Sequence, residues 1–403
     1  MSRELLDSNI YYLGKIPNNW NFKKYKYFSD LRMGETILAS STVSEGIPIY
    51  SATKEDKIFG YVKEANVKLK KGELVIPARG NSIGYVSIVK EKEATCTQTT
   101  ICSYNIHDIN NKFLYYSILG LNNEWFKFDG SAIPQITVEQ VKNCILALPP
   151  EGEQELIVKY LDNKVSLIDE TIENNKKEIE LLNEYKLNLI DDAINEIVEK
   201  AKVIKLRYLG NFINGISAGA DKFNNGNDIF VNYGDVYNNL SIPENPKGKI
   251  QLNDKEKNIY SLKKGDILFT RTSETIEEVG ISSVCLKNYP SSAFSGFVIR
   301  FRNTSKYNLN PEFYKYYFKS RKQRDYFASN MNLVTRASLS QNLLGNLPVV
   351  VPCESVQLKV ACVLDNSFRK IDKIIEYRKQ IIEKLEEYKK SLIYEAVTGK
   401  IEV

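Results

Sequence analysis

Apolar residues recur every three or four positions in two long stretches of the chain, 161–193 and 364–396. This spacing places them on one face of an α-helix, in the a and d pattern of a coiled coil. Neither stretch contains Pro or Gly, and both are rich in Glu, Lys, Leu and Ile. The pattern therefore predicts two long helices, each with an apolar seam for a partner helix. The predicted seam residues are Leu161, Ile168, Ile172, Ile179, Leu182 and Leu189 in the first helix and Leu364, Ile371, Ile375, Ile382, Leu385 and Leu392 in the second.

The two helical stretches are copies of each other. Residues 149–193 align without gaps with residues 352–396, and about 20 of the 45 aligned positions are identical. Unrelated sequences match at roughly one position in 15–20, so the alignment indicates an internal duplication. The clearest matching segments are NEYKLNLI (183–190) and EEYKKSLI (386–393), near the end of each seam.

Polar residues interrupt both seams at the same two places. They are Asn175 and Lys186 in the first helix, and Arg378 and Lys389 in the second. A buried polar residue in a seam can fix the register of the pair; alternatively, these side chains reach solvent from the seam edge. Two seams in one duplicated chain favour pairing with each other, and a two-fold relation between the copies favours an antiparallel pair.

The segments before the two helices also repeat, although more weakly. KKGELVIPARG (70–80) and KKGDILFTRTS (263–273) each predict a turn and a short strand leading to an arginine. NKFLYYSI (111–118) and PEFYKYYF (311–318) predict aromatic helices, and a strand that stops at proline precedes each long helix. We therefore predict an α+β chain with pseudo-two-fold organisation, divided into globular domain 1–150, helix 151–200, globular domain 201–350, and helix and tail 351–403.

Charge is distributed unevenly along these segments. Residues 1–150 carry a net charge of +3, residues 151–200 of −8, residues 201–350 of +9 and residues 351–403 of +1. A basic surplus in the globular segments suits a polyanionic partner, although a merely soluble basic surface gives the same count. The segment 151–200 has a net charge of −8 and the segment 351–403 contains ten basic residues, so attraction between opposite charges also favours pairing of the two helices.

The sequence offers little that predicts catalysis or a metal site. The single histidine, His107, has Asp108 beside it but no suitably placed Ser or Cys, and no phosphate-binding or dinucleotide-binding glycine motif is present. The six cysteines form no CxxC motif, so we expect buried thiols rather than disulfides or zinc ligands. With 403 residues, no apolar run of membrane-spanning length and no secretory leader, we expect a cytoplasmic binding protein, not an enzyme.

Side chains suited to reading DNA cluster in several predicted loops. Arg, Lys, Asn, Gln, Ser and Thr contact base edges and phosphates, and Asp or Glu can accept from cytosine N4. In the first half the candidates are Thr53, Lys54, Arg79, Asn81, Ser82, Gln98 and Thr99. In the second half they are Asn232, Tyr233, Asp235, Arg271, Thr272, Ser273, Glu274, Arg336, Ser338 and Gln341. The loops differ between the halves while the predicted scaffold repeats, as expected of two modules that read different targets, although drift of unconstrained loops gives the same pattern.

The chain resembles the DNA specificity subunits of type I restriction–modification systems. The similarity rests on YLGKIPNNWNFKKYKYFSDLRMG (12–34), IPARG with the following IG, LPPEGEQELIVKYLD (148–162) and EEYKKSLIYEAVTGKIEV (386–403). It covers the whole chain, in the order recognition domain, conserved helix, recognition domain, conserved helix. The second lead-in, IKLRYLGNFINGISAG (204–219), lacks the Ile-Pro and Trp of the first.

The resemblance implies a non-catalytic subunit that directs its partners to DNA. Each target-recognition domain would read one half of a bipartite double-stranded target from the major groove, and an antiparallel coiled coil would set the spacer. The chain would bind two modification subunits that methylate adenine with S-adenosylmethionine, and restriction subunits that use ATP and Mg²⁺. It would itself hold no cofactor or metal. The alternative from the residues alone is a coiled-coil DNA-binding adaptor or regulator that acts without a methyltransferase partner.

Overall fold

The computed structural model describes residues 4–54, 57–106, 109–126, 134–198, 201–217, 223–275, 278–331 and 337–403. They form two compact units. Unit 1 consists of Met1–Lys176 and Lys379–Val403, and unit 2 consists of Lys177–Arg378. Each unit therefore combines one globular part with a portion of both long helices.

Two helices are much longer than the others in the described part of the chain. The helices are α1 (Asn111–Trp125), α2 (Val138–Asn143), α3 (Glu151–Val198), α4 (Tyr233–Tyr237), α5 (Asp254–Tyr260), α6 (Pro311–Tyr317), α7 (Arg321–Asn330), α8 (Gln341–Gly345) and α9 (Glu354–Val397). The two stretches with coiled-coil spacing lie in α3 and α9, which have 48 and 44 residues. The aromatic segments predicted to be helical form α1 and α6. These predictions are confirmed. Among the described residues, no helix is both long and apolar enough to cross a membrane.

The strands of unit 1 are short and mostly antiparallel. They are β1 (Leu5–Asp7), β2 (Lys15–Pro17), β3 (Asn21–Lys24), β4 (Ser29–Met33), β5 (Ile47–Tyr50), β6 (Gly60–Val62), β7 (Leu69–Lys70), β8 (Leu74–Pro77), β9 (Ser87–Ile88), β10 (Glu93–Cys96), β11 (Thr100–Asn105) and β12 (Ile145–Leu148). One four-stranded sheet has the order β4-β11-β8-β9 and another has the order β6-β5-β10-β7. In the second sheet, β5 and β10 run parallel.

Unit 2 repeats this arrangement. Its strands are β13 (Lys202–Lys205), β14 (Gly210–Asn214), β15 (Phe223–Val231), β16 (Gly248–Ile250), β17 (Ile267–Thr270), β18 (Thr272–Ser273), β19 (Ser282–Val284), β20 (Ser292–Phe294), β21 (Val298–Asn303), β22 (Ala337–Ser338) and β23 (Pro348–Val351). The sheet β14-β21-β17-β19 matches β4-β11-β8-β9, and the parallel pair of β15 and β20 matches β5 and β10. The antiparallel pair of β13 and β23 matches β3 and β12. The duplication seen in the sequence is thus a duplication of the fold.

Each unit has its own apolar core, to which the long helices contribute. In unit 1, Leu161, Ile168 and Leu392 are buried in the core formed around Phe113 and Trp20. In unit 2, the residues Ile190, Leu364 and Phe368 join a core built on the aromatic side chains of α6. The other predicted seam residues are buried or half buried: Ile172, Ile179, Leu182, Leu189, Ile371, Ile375, Ile382 and Leu385.

The two long helices pack against each other in an antiparallel direction. In unit 2, a carboxylate oxygen of Glu178 lies 2.6 Å from Nη2 of Arg378. Eight residues further along α3, Lys186 pairs with Asp372, which lies six residues earlier on α9. Three of the four polar seam positions, Lys186, Arg378 and Lys389, therefore form ion pairs between the helices. Asn175 is buried and donates to the Thr171 carbonyl oxygen 2.7 Å away, on its own helix.

The expectation of buried thiols is correct for four of the six cysteines. Cys96, Cys102, Cys144 and Cys285 are free and buried, whereas Cys353 and Cys362 are exposed, so for these two the prediction was wrong. Cys353 immediately precedes α9. Cys362 lies on the solvent-facing side of α9, although its neighbours along the helix, Ala361 and Leu364, are buried. His107 and Asp108 lie outside the described residues.

Candidate nucleic-acid interface

The first group of predicted DNA-reading residues in unit 1 follows the buried strand β8. Arg79 and Asn81 are exposed there, while Ser82 is buried within a short turn. The turn begins at Gly80, whose φ of +75° lies in the left-handed region that glycine adopts without strain. Ser82 Oγ donates to the Ala52 carbonyl oxygen at 3.0 Å, and this bond ties the turn to the segment that follows β5.

That hydrogen bond brings a second predicted pair, Thr53 and Lys54, beside the first group. Lys54 is exposed, and its Nζ lies 5.9 Å from the ring centroid of Tyr85. Because β5 and β10 are parallel neighbours, the segments at their carboxyl ends lie side by side. Ser51 Oγ is accordingly 3.1 Å from Thr97 Oγ1, in the tight connection between β10 and β11.

Gln98 and Thr99 occupy that same connection and complete the cluster. Thr97 Oγ1 lies 2.8 Å from Thr99 Oγ1, and the Thr99 carbonyl accepts from the Ala78 N–H at 2.9 Å. Both predicted residues are half buried. Unit 1 thus brings its three predicted groups together at one place, which we call the unit 1 reading surface: residues 51–54, 79–82 and 97–99.

A cavity of about 600 Å³ opens beside the unit 1 reading surface. It is lined by Lys54, Gly80, Asn81, Ile83, Asn122, Asn123, Phe126 and Pro134. Asn122 and Asn123 come from the end of α1, and Asn122 donates to the Gly84 carbonyl at 3.2 Å. Sequence reasoning missed these two carboxamides, because nothing in a helical stretch signals that its last turn will meet a loop about 40 residues earlier in the chain.

In unit 2, the residues after β15 have a structural role in addition to any binding role. Asn232 caps α4, and its own N–H donates to the Asp235 carboxylate at 2.8 Å in a reciprocal capping box. One oxygen of Asp235 is therefore engaged by the backbone. Tyr233 is half buried and stacks on Tyr237, with ring centroids 5.9 Å apart.

The other predicted groups of unit 2 are joined by a short antiparallel ladder. Thr272 pairs with Ser338, and the Arg271 carbonyl accepts from the Leu339 N–H at 2.7 Å. Gln341 donates to the Asn214 side chain at 2.9 Å, while Glu274 is exposed. Arg336 lies outside the described residues.

Glu278 connects this ladder to α4, and sequence reasoning did not identify it. Its carboxylate accepts from Ser273 Oγ through one oxygen and from the Tyr237 hydroxyl, at 3.4 Å, through the other. Burial and the adjacent Glu278 carboxylate raise the pKa of both Tyr233 and Tyr237, so both phenols stay protonated at neutral pH. We call residues 232–235, 271–274, 278 and 338–341 the unit 2 reading surface.

Both reading surfaces present side-chain groups that can donate and accept hydrogen bonds. They present guanidinium, ammonium, carboxamide, hydroxyl and carboxylate groups, which together can contact base edges and phosphates. In the parts of the chain that the structure describes, no three His, Cys, Asp or Glu side chains are grouped so as to hold a metal ion. The equivalent scaffold positions carry different side chains in the two units, so the two surfaces offer different hydrogen-bonding patterns.

Comparison with known proteins finds similar sequences among specificity subunits of type I restriction enzymes. The type I restriction enzyme MjaIX specificity subunit of Methanocaldococcus jannaschii is 24% identical over 318 residues, covering 68% of this chain and 71% of that protein. The EcoKI specificity subunit of Escherichia coli K12 is 22% identical over 277 residues, covering 64% of this chain and 57% of the relative.

A solved structure shares the fold. It comes from work on complex assembly and conformational transition of the type I R-M system, and it superposes with a TM-score of 0.65 at 14% identity. The match covers 96% of this chain and 100% of that one. In addition, the family model of the type I restriction modification DNA specificity domain matches residues 17–183 and 199–387, one copy in each half. This chain therefore belongs to the type I restriction modification DNA specificity domain family.

Proposed function

We propose that this chain is the non-catalytic recognition subunit of a type I restriction–modification complex, in which each unit reads one half of a bipartite DNA target. The observation that carries the proposal is the convergence of separate loops into one reading surface in each unit. In unit 1 the surface is held by Ser82 and Thr97, and in unit 2 by Glu278 and the ladder of Thr272 with Ser338. A repeated scaffold with two different surfaces is suited to an asymmetric, two-part target.

The paired helices α3 and α9 set the spacer between the half-sites in this proposal. A continuous helix is a stiff element of fixed rise per residue, about 1.5 Å. The ion pairs of Lys186 with Asp372 and of Lys389 with Asp169 hold the two helices in a fixed register. A fixed register keeps the length of the paired helices constant, and a spacer of fixed length requires a constant length.

Two modification subunits bind the outer faces of the long helices. Tyr185 and Tyr388 occupy equivalent positions in the repeat, and they are 52% and 53% exposed, which places both outside the seam. Leu181 is also exposed nearby on α3. Two equivalent aromatic positions offer two equivalent docking sites, because tyrosine combines apolar area with a polar hydroxyl and is enriched at interfaces.

The partners supply the chemistry. The modification subunits methylate adenine with S-adenosylmethionine, and restriction subunits use ATP and Mg²⁺, so this chain acts in the cytoplasm on double-stranded DNA without a cofactor of its own. Family membership favours this function over a DNA-binding adaptor that works without a methyltransferase.

Methylation mapping tests the proposal. The chain is expressed with its cognate modification subunit in a host without other adenine methylation, and methylated positions are mapped over the genome. We expect one asymmetric motif of two specified halves separated by a fixed unspecified spacer. A single continuous motif, or no motif, contradicts the proposal. Co-purification distinguishes this function from the alternative, because a DNA-binding adaptor would not retain the modification subunit when the chain is purified.

A further inference from the structure

We propose that Phe297 is a specificity-determining residue of unit 2, whose phenyl ring contacts the 5-methyl group of one thymine in the major groove of the unit 2 half-site. This inference rests on the proposed function and extends it to one chemical group of the target. Phe297 lies in the three-residue connection between β20 and β21. Sequence reasoning missed it, because the candidates were chosen for their hydrogen-bonding groups.

The phenyl ring of Phe297 is largely outside the core of unit 2. Phe297 is 59% exposed, whereas Phe294 and Val298, at the ends of the flanking strands, are fully buried. An exposed ring contributes little to folding, because the hydrophobic effect acts on the area removed from water. Single exposed apolar side chains are common on protein surfaces, so the position of this one decides its meaning.

The backbone of this connection is held from both sides. Inside the turn, the Val298 N–H donates to the Ser295 carbonyl at 2.9 Å, and the Phe297 N–H donates to Ser295 Oγ at 3.3 Å. On one side the Ser295 N–H donates to the Val231 carbonyl at 3.0 Å, and on the other the Arg271 N–H donates to the Phe297 carbonyl at 2.8 Å. The ring is therefore attached to a turn of fixed position.

The same bonds place Phe297 between two groups of the unit 2 reading surface. Val231 directly precedes Asn232, which begins the first group. Arg271 begins the second group, and its carbonyl accepts from the Leu339 N–H at 2.7 Å. Main-chain hydrogen bonds thus connect the turn with both groups. An exposed apolar side chain lies among residues suited to contacts with bases and phosphates.

Unit 1 has the same turn with a different side chain. There the Ala78 N–H donates to the Thr99 carbonyl at 2.9 Å, as Arg271 donates to Phe297 in unit 2. Thr99 is half buried, and its hydroxyl oxygen lies 2.8 Å from Thr97 Oγ1. The position is polar and partly enclosed in unit 1 but apolar and exposed in unit 2. The shared scaffold therefore presents different chemistry at this point in the two units.

A phenyl ring distinguishes base pairs by apolar contact. In the major groove, the 5-methyl group of thymine is the apolar group on the base edges, and Phe is among the side chains that contact it. An A·T pair carries one such methyl group and a G·C pair carries none. The contact therefore selects an A·T pair at one position of the half-site and also fixes which strand carries the thymine.

Deoxyuridine provides the test, because it pairs with adenine as thymine does but lacks the 5-methyl group. The full chain is purified with its cognate modification subunit, and methylation mapping gives the target sequence. Duplexes with that target are prepared with each thymine in turn, on either strand, replaced by deoxyuridine, and their dissociation constants are measured. The proteins compared are the wild type, Phe297→Ala, Phe297→Leu and the control Ile259→Ala, which removes an exposed apolar side chain of α5 in the same unit.

For the wild type, we expect one replacement in one half-site to weaken binding roughly fourfold, because one buried methyl group is lost. Phe297→Ala should weaken binding to the thymine duplex by at least roughly fourfold, and the replacement at that position should then have no further effect. Phe297→Leu keeps an apolar contact and should retain part of the penalty, and Ile259→Ala should retain all of it. Thermal unfolding of Phe297→Ala should match that of the wild type, since the ring is mostly exposed.

Two results overturn the inference. One is that no thymine of the target shows a deoxyuridine penalty that depends on Phe297, which includes half-sites without an A·T pair. The other is weaker binding by Phe297→Ala with unchanged penalties, which indicates stacking of the ring on a base, since every base has a π-face. If methylation mapping finds no bipartite motif, the proposed function itself fails. A bipartite motif without a methyl-dependent contact contradicts this inference alone.

Discussion

The Nζ atom of Lys389 on α9 lies 2.7 Å from Oδ1 of Asp169 on α3. Lys186 and Asp372 make the same contact in unit 2 at 2.6 Å, with the helices exchanged. Lys389 lies 203 positions after Lys186, and Asp169 lies 203 positions before Asp372, which is the offset between the two copies of the repeat. The two ion pairs therefore occupy equivalent places in the duplicated coil.

Reversing one charge of a pair should destabilise its unit, and reversing both should restore it. Because Asp372 is 59% exposed, we expect the coupling of Lys186→Glu with Asp372→Lys to be only ~0.5–1 kcal/mol. Lys186→Glu alone should cost more than Asp372→Lys, since Lys186 Nζ also lies 4.7 Å from the Phe368 ring centroid. Chemical denaturation of the four proteins measures the coupling; strictly additive effects would show that the pair does not interact.

A second prediction concerns a buried ion pair of unit 2. Asp266 is 1% exposed and accepts from Arg302 Nε at 2.7 Å and from Arg302 Nη2 at 2.6 Å. Asp266→Ala removes the carboxylate partner of that guanidinium, which keeps only its hydrogen bond from Nη2 to the Ser261 carbonyl oxygen at 2.8 Å. We therefore expect a loss of roughly 3 kcal/mol in the free energy of unfolding. Asp266 Oδ2 also accepts from the Lys263 N–H in the preceding turn, at 2.7 Å. Glu73 is the equivalent residue of unit 1, and it accepts from the equivalent Lys70 N–H at 2.7 Å.

Glu73→Ala is the matched control for that substitution, with an expected cost of about 1 kcal/mol for one hydrogen bond to a half-buried carboxylate. Urea denaturation compares the two variants. Equal losses would mean that the pairing of Asp266 with Arg302 contributes nothing beyond the turn that both carboxylates support.

The long helices and the repeated scaffold could be predicted from the sequence because their signals are local. Seam spacing, the proline after a strand and aromatic runs all lie within a window of a few residues. The sheet order β4-β11-β8-β9 could not be predicted, because it depends on pairing between distant segments. Short helices such as α4 and α5 were missed for a different reason: each spans only five to seven residues and carries little periodicity.

The same distinction applies to the reading surfaces. Residue type was enough to nominate loop residues such as Arg79 and Ser273, but it could not indicate which loops meet. Glu278 and Tyr237 are 41 positions apart and come together only through the fold. Asp235 was nominated as a base contact, and the structure gives it a capping bond that sequence alone did not suggest.

Two glycines at equivalent places should tolerate no side chain. A Cβ on Gly34 would lie 2.3 Å from the Thr97 carbonyl oxygen, and one on Gly215 would lie 2.1 Å from the Ser295 carbonyl oxygen. Backbone atoms cannot yield as a flexible side chain can, so we expect Gly34→Ala or Gly215→Ala to cost at least ~2 kcal/mol.

Gly152, near the start of α3, provides the opposite case. No atom lies within 4 Å of the position that a Cβ would take there, so Gly152→Ala should stabilise the protein by roughly 0.5 kcal/mol through helix propensity. Thermal denaturation of the three variants tests the contrast. If Gly34→Ala were as stable as the wild type, the backbone at Gly34 and the backbone at Thr97 could move apart without a cost in free energy.

Lys319 gives unit 2 a pH dependence of a defined sign. Burial, together with the charge of Arg324, lowers the pKa of Lys319 to about 8. The unfolded chain, with a lysine pKa of about 10.4, therefore binds more protons than the folded chain between these values, and stability rises with pH there. The cost of burying the charged amine is complete below pH ~8 and disappears towards pH ~10.4.

Lys319→Met should accordingly be more stable than the wild type at pH 7, by about 1–3 kcal/mol, and the difference should shrink as the pH approaches 10. Comparing the two proteins by chemical denaturation at pH 7, 8, 9 and 10 cancels the titration of tyrosines and cysteines that they share. A difference that does not change with pH would show that Lys319 keeps an ordinary pKa in the folded state.

If α3 and α9 set the spacer, lengthening the connection between coil and recognition unit should change the spacer and nothing else. Four residues inserted after Asn195, near the end of α3, would add ~6 Å of helix, close to two base pairs of B-DNA. Methylation mapping should then show both half-sites unchanged and a longer spacer. The same insertion between Glu244 and Asn245, in an exposed turn of unit 2, should leave the spacer as in the wild type. An unchanged spacer in the first variant would contradict the role of the helices as a ruler.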